Sequence, residues 1–172
     1  MRKVLVVVDL QNDFVDMALG TKEAVDIVPN VVKEIESGEY DTIYATMDTH
    51  QKDYLNTLEG HYLPVEHCIE GEQGWFLEPN VQNALIKHHA EIVEKPTFGS
   101  LSLMEKMKEE NPDEIVICGL CTDICVINNA LLLRAALPNT KITALKNACA
   151  GTTPQKHEAS LSVMESCQIE VK

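Results

Sequence analysis

Cys125 stands in the run from Ile115 to Ile127, which reads as a strand, a tight turn and the start of a nearly all-apolar helix. Thr122 or Asp123 can cap that helix, which puts Cys125 in its first turn. Free N–H groups and the positive end of the helix dipole favour a thiolate there, below the ordinary thiol pKa of about 8.5. The same N–H groups can hold the oxyanion formed by attack on a carbonyl. The plain alternative is a buried structural thiol, a common fate of free cysteine. Cys121 and Cys125 as half of a zinc site would need a second ligand pair, and none stands out.

A thiol nucleophile needs a base and a charge partner. Asp9 ends an apolar strand, where an unpaired carboxylate would be costly, and Lys95 follows another strand and can pair with it. Such a pair can keep a proton on the carboxylate while the ammonium stabilises the thiolate. Against this stands an ordinary strand-end Asp at a helix N-terminus with Lys95 in solvent. Asp48 and His50 are alternate residues of an extended segment and so share a face. Carboxylate plus imidazole suits zinc, iron or manganese. Glu59, His61 and His67 are further ligand types in the irregular stretch that follows.

The elements that would position these groups alternate along the chain. Strands are expected over Lys3–Asp9, Thr42–Met47, Glu91–Glu94, Glu114–Gly119, Lys141–Leu145 and Gln168–Val171. Helices are expected at Ala24–Glu36, Val81–His88, Ser100–Glu110, Asp123–Leu137 and Pro154–Ser166. This rhythm predicts a three-layer, Rossmann-like α/β fold, a mainly parallel six-stranded sheet with helices on both faces. In such sheets ligands bind outside the carboxyl ends of the strands. Asp9, Asp48, Lys95 and the turn to Cys125 each follow a strand, so one sheet edge collects the chemistry. Only Asp48 to Pro79 shows no period, and a loop that long in a compact domain is either functional or a stretch whose elements the pattern misses.

The 172 residues fit one domain, 1–172, and are 45% hydrophobic and 24% charged. A formal net charge of −13 argues against nucleic acid or an anionic membrane as partner. The apolar run after Lys3 stops at Asp9, too short for a secretory leader, and a cytoplasmic protein is expected. In that compartment the six cysteines are not expected to form a disulfide framework.

Five segments, in order, resemble the isochorismatase-like cysteine hydrolases, and most closely their nicotinamidase branch. They are Val8 to Phe14, Thr46 to His50, Leu63 to Cys68, Glu94 to Phe98 and Gly119 to Val126. The resemblance implies a triad of Asp9 as general base and acid, Lys95 as thiolate-stabilising cation and Cys125 as nucleophile. It places a non-proline cis peptide at Leu120–Cys121 and an oxyanion hole at the backbone N–H groups of Cys121 and Cys125. Phe14 would pack on a substrate ring. One divalent metal ion, with zinc the first expectation, would sit on Asp48, His50, Glu59 and His67, Glu59 being favoured over His61.

The activity so implied is hydrolysis of nicotinamide to nicotinic acid and ammonia through a Cys125 thioester, in NAD salvage, by a homo-oligomer. Three other readings are another small-amide or carbamoyl hydrolase of the same family, a non-catalytic binding domain, and a thiol redox protein using Cys121 and Cys125.

Overall fold

Residues 1–172 are described by a computed structural model. Its centre is the strand β1 (Lys3–Val8), in which Val4 to Val8 have no exposed surface. A continuous apolar, β-branched run of this kind suits a strand covered on both faces. Around it lie β2 (Thr42–Asp48), β3 (Glu91–Lys95), β4 (Glu114–Leu120), β5 (Lys141–Ala150) and β6 (Glu170–Val171). All pairings are parallel, and the order across the sheet is β3-β2-β1-β4-β5-β6.

The helices are α1 (Asn12–Val15), α2 (Lys22–Ile35), α3 (Leu58–Tyr62), α4 (Pro79–Lys87), α5 (Leu101–Glu110), α6 (Ile127–Ala136) and α7 (Pro154–Ser166). α2 and α4 connect strands that step from β1 toward β3, whereas α5, α6 and α7 serve the return toward β6. Right-handed crossovers running in opposite directions put the two sets on opposite faces. The contacts agree, with α2 packing on α4, and α6 on both α5 and α7. The strand order reverses between β1 and β4, which makes their carboxyl ends the switch-point crevice.

Four local differences from expectation have physical causes. β5 does not stop at Leu145: Leu145 to Ala148 loop out of register, and the strand rejoins β4 at Cys149 and Ala150. The polar Lys146 and Asn147 conceal that continuation. The last strand is shorter than Gln168–Val171, because Gln168 adopts φ 63° as the chain leaves α7. The segment after β2 contains a 3₁₀ turn (Tyr54–Asn56) and α3, whose cap is Thr57 accepting from the Gly60 N–H at 3.0 Å. The helix expected from Asp123 opens instead as a π turn (Thr122–Val126) before α6.

Gly119 permits that turn to form where it does. Its φ is +123°, and a Cβ there would overlap the Val8 carbonyl oxygen on the central strand. Only glycine lets β4 approach β1 so closely at the switch point.

Candidate active site

Asp9 follows β1 directly, at φ 48°, with its N–H bonded to the Thr46 carbonyl at 3.1 Å. Lys95 is the last residue of β3, and Cys125 lies within the π turn after β4. Three separate strand ends therefore deliver three side chains to one point. The Lys95 Nζ lies 2.7 Å from Asp9 Oδ2 and donates to Cys125 Sγ at 3.5 Å and to the Thr97 carbonyl at 2.9 Å. Thr46 donates its hydroxyl to Asp9 Oδ1 at 2.6 Å. Asp9 Oδ2, the oxygen that faces the ammonium, takes no hydrogen bond from any other group. It remains an acceptor.

Burial dominates the electrostatics here. It pushes the Cys125 thiol well above its ordinary value, reinforced by the Asp9 carboxylate and opposed by Lys95. It raises Asp9 as well, against the pull of the Lys95 ammonium. Burial works against a charged Lys95 too, but Asp9, Cys125 and Asp48 outweigh it and hold the ammonium protonated. One ammonium thus faces two buried acids, Asp9 and Cys125, and burial favours the protonated form of each. This corrects the expectation of a thiol acidified by a helix dipole. The cap expectation changes with it: the N-cap position is Cys121, with no side-chain cap. Thr122 Oγ1 lies instead 2.7 Å from His157 Nδ1, and Asp123 accepts from the Thr152 N–H at 2.8 Å and its hydroxyl at 2.7 Å.

The peptide bond Leu120–Cys121 is cis. Ile124 and Val126 donate to the Cys121 carbonyl at 3.0 and 3.1 Å, while the Cys121 N–H bonds no backbone carbonyl.

Beside the thiol lies a second cluster. One donor atom each from Asp48, His50, Glu59 and His67 falls within 4.8 Å of the others. His50 Nε2 is 2.8 Å from Asp48 Oδ2, and His67 Nε2 is 3.5 Å from both Asp48 Oδ2 and Glu59 Oε1. Two carboxylates and two imidazoles converging in a buried place fit a divalent cation such as zinc. His67 Nδ1 lies 2.9 Å from the Val65 carbonyl, which leaves Nε2 as the ligand atom. Burial disfavours the His67 imidazolium, but bonds to Asp48 and Glu59 outweigh it and raise His67 to about 10. Asp48 is held below the carboxylate range, because its bonds to His50 and His67 and the Lys95 charge overcome burial. Asp48 Oδ1, 3.6 Å from Lys95 Nζ, joins the two clusters.

All three residues expected to form a triad meet, as do four of the five candidate ligands. α3 turns Glu59 inward and leaves His61 on the surface. Phe14 is nearly buried, its ring centroid 5.4 Å from that of His67. Several supporting residues escape sequence reasoning. Gln11 is fully buried, donates to the Asp48 and Trp75 carbonyls at 2.8 Å each, and accepts from the Asp48 N–H at 2.8 Å. Asp13 accepts from the Cys68 N–H at 2.8 Å and so fixes the segment carrying His67. Tyr54 packs its buried ring edge-on to both His50 and His67. Gln11 and Asp13 fall inside the motif around Asp9, which is the one signal that could have found them.

A parallel α/β sheet with a buried thiol, carboxylate and ammonium beside a four-donor cluster defines a class of cysteine enzyme built at a switch point. The isochorismatase domain family matches residues 3–171, and the chain belongs to it. It is 25% identical to a nicotinamidase of Schizosaccharomyces pombe, over 97% of this chain and 91% of that protein. The crystal structure of the nicotinamidase/pyrazinamidase of Bacillus subtilis is 28% identical, with TM-score 0.86 and 99% of both chains covered. The pyrazinamidase of Pyrococcus horikoshii, solved in complex with zinc, has TM-score 0.79 at 24% identity, covering 100% of this chain and 99% of that one. That last likeness speaks for the fold alone.

Proposed function

We propose that this protein hydrolyses nicotinamide to nicotinic acid and ammonia, with Cys125 as nucleophile, Asp9 as proton carrier and Lys95 as the cation that stabilises the thiolate. The observation that carries the reading is the contact of Lys95 Nζ with Asp9 Oδ2 and Cys125 Sγ, 3.6 Å from an Asp48 that belongs to the ligand cluster. A divalent cation on Asp48, His50, Glu59 and His67 would supply a Lewis-acid contact that orients the ring nitrogen of the substrate. Phe14 lies against His67 and offers an apolar face for the same ring.

Asp9 takes the Cys125 proton as sulfur attacks the carboxamide carbon. The carbonyl oxygen becomes an oxyanion, which the backbone N–H groups of Cys121 and Cys125 receive. Asp9 then gives its proton to the departing nitrogen, the C–N bond breaks, ammonia leaves, and a thioester remains on Cys125. Asp9 next takes a proton from water as its oxygen attacks the thioester carbon. The C–S bond breaks, nicotinic acid leaves, and the proton returns to sulfur. Splitting a difficult hydrolysis in two is what the covalent nucleophile achieves.

The relatives named nicotinamidase support this substrate and, with it, a place in NAD salvage; zinc as the metal, a homo-oligomer and a cytoplasmic setting belong to the same reading. Ammonia release from nicotinamide tests it: Cys125→Ala should abolish release while the protein stays folded, and retained turnover would refute the assignment. Other small amides and carbamoyl compounds, assayed in parallel, distinguish the second family reading.

A further inference from the structure

We infer that Asn129 is a positioning residue that sets the spacing between Lys95 and Cys125. The inference rests on the reading of Lys95 and Cys125 given above. Asn129 lies in α6 and is 1% exposed, a neutral amide inside an otherwise apolar helix face. A buried amide must be satisfied, and this one is. Its Nδ2 donates to the Cys125 carbonyl at 2.8 Å and to the Phe98 carbonyl at 3.1 Å. Its Oδ1 accepts from the N–H of Ser100 at 2.9 Å, and Ser100 in turn caps α5.

These bonds close a ring through the reacting groups. Cys125 Sγ meets Lys95 Nζ, and Lys95 Nζ donates to the Thr97 carbonyl. The next residue, Phe98, is held by Asn129, which also holds the carbonyl of Cys125 itself. The segment that follows Lys95 and the turn that carries the thiol are therefore pinned to one amide plane. Two donors and one acceptor in a fixed planar arrangement are what the position requires. A carboxylate lacks the donors, and a hydroxyl has only one. Gln11 plays the corresponding part for Asp48 on the metal side, holding its backbone N–H and carbonyl.

The test uses Asn129→Ala, and Asn129→Thr should the alanine variant fold poorly, each in wild-type and Lys95→Met backgrounds. Two readouts are taken on protein of verified melting temperature and metal content: kcat and KM for nicotinamide, and the rate of Cys125 alkylation by iodoacetamide at one pH, followed by mass spectrometry. Loosening the ring should lower kcat roughly tenfold or more with little change in KM, because small misplacements of reacting groups are costly. Alkylation should slow in step, since the thiol loses its cation. In the Lys95→Met background both effects should shrink to less than about threefold, because the two substitutions act on one contact. Unchanged or faster alkylation, or full multiplication in the Lys95→Met background, would overturn the inference. A wild-type protein that ignores nicotinamide yet shows the alkylation pattern would overturn the substrate and leave Asn129 in its place.

Discussion

Asp9 and Cys125 face a single ammonium, Asp9 at 2.7 Å and Cys125 at 3.5 Å, and this separates the consequences of removing each. Cys125→Ala removes a neutral or charge-sharing group and leaves the Asp9–Lys95 pair, so its urea midpoint should stay near that of the wild type. Asp9→Asn removes the nearest counter-charge of the buried Lys95 and leaves it only the Cys125 thiol at 3.5 Å and Asp48 at 3.6 Å, and should destabilise the fold by roughly 3 kcal/mol as well as ending turnover. Equilibrium unfolding of the two variants side by side checks the contrast. The charged and nucleophilic members of the site are legible in the sequence because their types are costly at strand ends unless they are used. Thr46, Gln11 and Asn129 are not, because a neutral amide or hydroxyl announces no chemistry, and its partners (the Asp9 carboxylate for Thr46, backbone atoms for the two amides) become neighbours only in the fold.

Among the elements, the π turn between β4 and α6 carries the chemistry and depends on its neighbours on both sides. Gly119→Ala would force a methyl group against the Val8 carbonyl at a φ that L-residues rarely adopt. We predict a loss of about 2–4 kcal/mol, visible as a lowered thermal midpoint or insoluble expression. On the far side, Thr122 contacts His157 in α7. Burial holds His157 below the ordinary histidine value, so the unfolded chain takes up the proton more readily. The contribution of His157 to stability is complete above the ordinary histidine range and is lost as the pH falls through it toward the folded value. Urea midpoints measured from pH 7.5 to 5 should fall less steeply in His157→Gln than in the wild type; parallel slopes would contradict this. Apolar periodicity revealed the strand–helix alternation. It could not reveal the register slip at Leu145 to Ala148, which is a matter of how β5 pairs with β4, or the π turn, whose apolar residues read equally well as the start of α6.

For the molecule as a whole, the sheet order places four strand ends at one edge, and every group of the site comes from those ends or the segments just beyond them. No helix is long and apolar enough to cross a membrane. Because the cluster of Asp48, His50, Glu59 and His67 exists only in the folded chain, a cation that binds it stabilises the fold by mass action. Chelation should therefore lower the melting temperature, and adding back zinc, iron or manganese should restore it, to a degree that ranks the three metals. An unchanged melting temperature across chelation and reloading would remove the cluster from the account.

The proposed site joins a thiol to a metal cluster, and ammonia release from nicotinamide, assayed beside metal analysis, tests both parts together. The metal-replete protein should release ammonia in proportion to its metal content, lose that activity with chelator and regain it on reloading. A replete, folded protein that releases none, or one whose rate ignores the chelator after the metal has been shown to leave, would contradict the account.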